Sequence, residues 1–201
     1  ERSVAIGNNN QAQSTGSITL GVGYSDGNAA TGLKQTLAIT GYEYNMAIGA
    51  GAQSAGNSSI AMGTLATSSI KNQGDAVDKA IAIGYSAGVS DSKAIAIGSD
   101  AKSNSKSASA LGDTAQALAN DALAIGTQAQ ASGSASAAIG ARSAVSGANT
   151  YVVGSDNSNN PAGTGATIAA TDSGVFGNQN RLEGNKNRLV GNSNTVKLES
   201  M

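Results

Sequence analysis

Along most of the chain, apolar residues come in pairs that flank a single alanine and end at a glycine. Ile95-Ala96-Ile97-Gly98 is the cleanest copy. The same phrase occurs at Val4–Gly7, Met46–Gly49, Ile60–Gly63, Ile81–Gly84, Leu123–Gly126 and Ala137–Gly140, with looser copies closing at Gly21, Gly112 and Gly154. From Gly84 to Gly154 the closing glycines stand fourteen residues apart without exception. A fixed period of this kind is the signature of a repeat architecture. Within each phrase large and small residues alternate, the period of a strand whose two faces meet different neighbours. Four residues are too few for a helix, and the β-branched side chains favour the same reading. A weaker alternation follows half a period later, at Ala87 and Val89 and again at Ala129 and Ala131. Two short strands and two turns per period predict one flattened coil of a parallel β-roll, with coils stacked about 4.8 Å apart.

One face of each strand must turn inward. We assign the Ile and Val pairs to the interior and Ala47, Ala61, Ala82, Ala96, Ala124 and Ala138 to the outer face. Two large side chains per coil offset only part of the entropy lost in ordering fourteen residues, and each ladder hydrogen bond adds little net stability. A single thin roll is therefore expected to be marginal and to pack its small-residue face against identical faces of other chains.

The period is interrupted in three places. Between Gly21 and Gly49 it doubles to twenty-eight residues, and Leu37-Ala38-Ile39-Thr40 reads as a degraded copy out of register. Tyr24, Tyr42 and Tyr44 fall in this stretch, either plugging an exposed end of the roll or forming an aromatic contact patch. Between Gly63 and Gly84 the interval is twenty-one, so about seven extra residues lie within 64–79. Ile70 and Val77 are apolar positions of this otherwise polar insertion. They either pack back on the roll or are presented to a partner, since loops on a rigid scaffold commonly carry binding. Residues 155–174, with the only proline, Pro161, read as a connecting loop. Beyond it Gly177-Asn178, Gly184-Asn185 and Gly191-Asn192 open turns seven residues apart. Each turn is expected to precede one short strand, with Gly and Asn accepting positive φ.

Composition narrows the function. With one Phe, no Trp and five Tyr in 201 residues there is little bulk for a round core. The net charge of −1 and the lack of a basic run exclude a phosphate-neutralising nucleic-acid surface or a polybasic membrane patch. Without Cys there are no disulfides or thiolate metal sites, and without His the general-base and metal chemistry of an enzyme would rest on scattered carboxylates. No catalytic, cofactor or metal residue is assigned. No apolar stretch is long enough to span a bilayer as a helix.

The Ser-Val-Ala-Ile-Gly type of phrase, at Ser3–Gly7, Ser59–Gly63 and in variant form at Lys93–Gly98, resembles the YadA-like head of trimeric autotransporter adhesins. The resemblance covers about residues 3–154, and the Gly-Asn-x-Asn segment 176–198 is similar to the neck that joins such heads to a stalk. It implies an all-β homotrimer of left-handed parallel β-rolls, intertwined or side by side, with a head at 1–154, a loop at 155–174 and a short β neck at 175–201. It further implies display at the Gram-negative outer surface, with a coiled-coil stalk beginning near residue 196 and a C-terminal membrane anchor outside the given residues. The implied partners are a host matrix protein such as collagen, fibronectin or laminin, or a host cell-surface receptor glycoprotein. A second class, a structural trimeric fibre such as a phage tail fibre or an ice-binding solenoid, fits the same period. The regular Thr-x-Thr ladders of many ice-binding faces are missing, and so are the hexapeptide period and histidine of the β-helical acyltransferases.

Overall fold

The computed structural model describes residues 2–8, 10–13, 15–23, 36–38, 43–68, 77–157 and 170–196. Every described element is a short strand, and every pairing is parallel. Twelve strands form one sheet, running in chain order from Val4–Ile6 to Arg188–Val190. Nine form a second sheet, from Asn10–Ala12 to Ala144–Val145. The chain alternates between the two, so the molecule is the expected β-solenoid. In its regular part the pairing is in register at fourteen residues: Ile95-Ala96-Ile97 lies on Ile81-Ala82-Ile83 and beneath Ser109-Ala110-Leu111.

The facing of the strands is the reverse of the expected one. Ala47, Ala61, Ala82, Ala96, Ala124 and Ala138 are 0% exposed in the single chain, while the flanking Ile, Met and Leu residues look outward. Four residues per coil point inward, for example Ala80, Ala82, Ala87 and Val89. A fourteen-residue loop closed by two tight turns encloses a narrow space, and close packing admits methyl-sized groups there with an occasional Val. Two Ile per coil would overfill it. The outward alanine face assigned from sequence, and with it the alanine interface between chains, is therefore corrected.

Turn chemistry explains the closure. At the first corner stands the glycine of the phrase, with φ of 137° at Gly98, and a Cβ there would lie 2.2 Å from the Gly112 carbonyl oxygen. Two residues on, and then every seventh residue, the backbone enters the left-handed region, as at Ser86, Lys93, Asp100, Ser107 and Thr114. The half-coil is thus a seven-residue unit throughout the regular region. Its sequence trace is the buried series Ala80, Ala87, Ala94, Ala101, Ala108, Ala115, Ala122 and Ala129.

Two interruptions resolve into insertions. Ile18–Leu20 pairs directly with Met46–Ile48, so the long interval is a single coil. Leu37 and Ala38, the described part of the degraded Leu37-Ala38-Ile39-Thr40 copy, lie in the strand Thr36–Ala38, which belongs to the second sheet between Asn10–Ala12 and Gln53–Ser54. Likewise Tyr151–Val153 pairs with Gly174–Phe176. The C-terminal repeats keep the fourteen-residue coil, because Gly174–Phe176 stacks on Arg188–Val190 and Arg181–Leu182 on Thr195–Val196. What halves is the sequence period, since both halves of these coils carry the same Gly-Asn turn.

In these last coils asparagines replace alanines inside. Asn180 is fully buried, donates from Nδ2 to the Gly191 carbonyl (2.6 Å) and accepts the Asn194 N–H at Oδ1 (3.1 Å). Asn157 accepts the Asn180 N–H in the same way (3.0 Å). The outer asparagines form a second ladder, Asn178 accepting the Ser155 N–H and Asn192 the Asn178 N–H, each at 2.8 Å. Buried polar groups satisfied in this manner cost little and fix the register.

Two substitutions test this packing by thermal unfolding. Ala96→Leu overfills the interior and is expected to cost about 1–3 kcal/mol or more; an unchanged melting temperature would place that side chain outside the roll. Asn180→Ala leaves the Asn194 N–H without its acceptor, with an expected loss of about 1–3 kcal/mol and faster hydrogen exchange at that amide.

Candidate functional site

Turning the alanines inward puts the large residues on the outer face of the twelve-stranded sheet. One column reads Ile6, Leu20, Ile48, Met62, Ile83, Ile97, Leu111, Ile125, Ile139, Val153, Phe176 and Val190, with no polar interruption. Beside it runs a second column, Val4, Ile18, Met46, Ile60, Ile81 and Ile95, then Ser109, Leu123, Ala137, Tyr151, Gly174 and Arg188. Neighbours above and below half-bury the central members, yet Ile97 remains 37% exposed and Val190 77%. At about 4.8 Å per strand the stripe is roughly 50 Å long. A contiguous exposed apolar surface of this extent marks an interaction face.

The face of the second sheet is different. Gln53, Thr67, Gly88, Lys102, Gln116, Gln130 and Ala144 stand in one outward register, while Ser54, Ser68, Val89, Ser103, Ala117, Ala131 and Val145 point inward. Farther along the corner, Arg142 donates to Asp156 at 2.5 and 3.0 Å. That hydrogen bond, reinforced by the opposite charge, raises the Arg142 pKa above its ordinary value. The pair is solvent-exposed and adds little stability. Among the described residues no group of three His, Cys, Asp or Glu side chains is placed to hold a metal ion.

The residues singled out from sequence are scattered. Tyr24, Tyr42 and Ile70 lie outside the described residues. Tyr44 is 65% exposed at a left-handed turn position, its ring over Gly16, where a Cβ would come within 2.6 Å. Val77 is 2% exposed and clusters with Ala80 and Ala82, and its carbonyl accepts the Ser59 hydroxyl at 2.6 Å. It closes the insertion onto the core, so its assignment as a contact residue is corrected. Sequence reasoning missed the outward large-residue stripe and the glutamine column. The seven-residue alanine series held the clue, because residues recurring inside every half-coil leave only the intervening positions for the surface.

This geometry defines a parallel β-solenoid with one apolar and one polar face, a scaffold for surface contact. The family model of the YadA head domain repeat matches residues 1–23, 46–66, 78–101, 103–129 and 119–143, more than half of the chain, which therefore belongs to that family. Membership suggests a surface-exposed trimeric autotransporter adhesin, of a kind typically without enzymatic activity. No curated protein and no solved structure matches the chain.

The two described candidates separate cleanly in a stability test. Val77→Ala empties part of the core and is expected to lower stability by about 1–3 kcal/mol. Tyr44→Ala changes a surface side chain and is expected to stay within about 0.5 kcal/mol of the parent. Equal melting temperatures for the two variants would contradict the burial difference.

Proposed function

We propose that this chain is the head of a trimeric bacterial surface adhesin, in which three copies join along the apolar stripe and the remaining surface binds host matrix proteins or host cell-surface receptors. The unbroken column from Ile6 to Val190 carries the reading, because a surface of this length and apolarity needs a cover and identical rolls supply a matching one. Family membership supports threefold closure. The Gly-Asn segment 175–201 then serves as the neck that hands the trimer to a stalk, and a C-terminal anchor holds the assembly at the outer membrane.

Adhesion from such a head works by repetition. Each coil presents polar side chains of the second sheet, such as Gln116 and Gln130, outward on a rigid backbone, and individual contacts are weak. Three copies per head and many heads per cell raise the effective concentration, so overall avidity exceeds any single affinity by orders of magnitude. Tyr44, Tyr24, Tyr42 and Ile70 remain candidates for direct contact with the host partner.

Light scattering on the purified chain, with solid-phase binding to matrix proteins and receptor glycoproteins, tests both halves of this reading. Wild type is expected to be trimeric and to bind at least one partner. Ile83→Asp with Ile97→Asp places charges on the closed stripe, where each unpaired buried charge is strongly unfavourable, and is expected to yield monomers. A trimer that survives both substitutions would move the interface elsewhere, and a wild-type trimer with no binding across the panel would refute adhesion.

A further inference from the structure

The most regular part of the polar face holds a shallow groove of about 320 Å³, lined by Thr114, Gln116, Gln128, Ala129 and Gln130. Its walls come from two consecutive coils. Gln116 and Gln130 occupy partnered positions on adjacent parallel strands. Thr114 and Gln128 hold the equivalent left-handed turn positions of the same coils, with φ of 54° and 59°. The Gln128 N–H donates to the Asp113 carbonyl at 2.9 Å and the Thr114 N–H to the Ser99 carbonyl at 2.8 Å, so the backbone beneath the groove is fixed. Between the two rows Ala115 and Ala129 turn inward and leave the floor low.

The chemistry of the lining is specific. The Gln116, Gln128 and Gln130 carboxamides make no hydrogen bond to other described residues, and each offers donors and an acceptor toward solvent. No charged side chain lines the groove. At the equivalent turn and strand positions, charges stand in the coils on either side, Asp100 and Lys102 before it and the Arg142–Asp156 pair after it. Within the lining itself a sulfate or sialate group meets no cation and a basic side chain no carboxylate. Hydroxyl groups, which donate and accept at the same point, suit a row of amides repeating at about 4.8 Å.

From these observations we propose that the groove is a subsite for a neutral, hydroxyl-rich glycan chain lying along the solenoid axis. The proposal rests on the adhesin reading and narrows it, naming the glycan part of a host glycoprotein as one of the contacted groups. The groove belongs to the second sheet, so it stays open when the stripe on the first sheet is covered. Its rigid backbone reduces the ordering cost of binding, and repetition of the site on three chains compensates for a weak single contact.

Saturation-transfer NMR of the full chain with neutral β-linked hexose and N-acetylhexosamine oligosaccharides, beside their sialylated and sulfated forms, tests the proposal. The neutral oligosaccharides are expected to show transfer that falls about tenfold or more in Gln116→Ala with Gln130→Ala, a loss of several amide contacts. The melting temperature should be unchanged, because both side chains face out. Transfer that persists in this variant, a preference for the charged forms, or no transfer from any neutral oligosaccharide would overturn it. Attachment to host cells before and after enzymatic removal of surface glycans separates the two readings. Equal attachment to both would refute the glycan subsite and leave adhesion standing, whereas attachment to neither would refute adhesion itself.

Discussion

Everything in this molecule depends on parallel, in-register stacking of identical coils. Once Ile95–Ile97 pairs with Ile81–Ile83 at an offset of fourteen residues, each residue of the regular region lies on its own counterpart one coil earlier. Whatever a position needs, it needs in every coil. The corner glycine shows the constraint most sharply, since the chain passes so close to the next corner carbonyl that a single Cβ at Gly98 has no room. The interior shows it as a column of alanines, and the surface as the unbroken apolar column from Ile6 to Val190.

Uniform columns also explain how so lightly built a chain can be ordered. Its centre is sealed by alanine, a few valines and inward serines such as Ser103, which donates to the Ala108 carbonyl at 2.9 Å, and asparagines join the hydrogen bonding toward the two ends. Toward the start, Ser17 and Asn45 are hydrogen-bonded to each other in the inward columns. Toward the end, Thr150 donates to the Ala170 carbonyl (2.5 Å), and Asn157 and Asn180 extend the same columns as amide ladders. Polar interiors of this kind demand nearly complete pairing, and among the described side chains only Asn10 Oδ1 and Arg181 Nε are buried without a partner. Little apolar area is gained inside the single roll, and most of the large apolar side chains lie on its outside. The folded coil therefore presents its strongest hydrophobic surface outward.

The sequence made the period, the strand positions, the corner glycines and the family legible, because each follows from spacing that survives without coordinates. The direction of the side chains was not legible from one phrase. Ile-Ala-Ile fixes only that its two faces differ, and the usual habit of placing large residues inside fails when the enclosed space is one methyl group wide. Val77 shows the same limit, since an apolar residue in a polar insertion is equally consistent with a contact and with an anchor, and only its burial distinguishes them. Segment 36–38 was misplaced because a Leu-Ala-Ile triplet resembles the first-sheet phrase, while its pairing is with Asn10–Ala12. The glutamine groove carried no motif at all. It exists only where two coils bring Gln116 and Gln130 side by side.

The central claim is that alanine faces the roll and isoleucine faces another chain. The protein has no cysteine, so single cysteines at neighbouring positions report on the two faces without background. In the assembled protein Ile97→Cys should cross-link between chains with a short bismaleimide, while Ala96→Cys should stay unmodified until the protein is unfolded. Cross-linking through position 96 with position 97 inert would contradict the account.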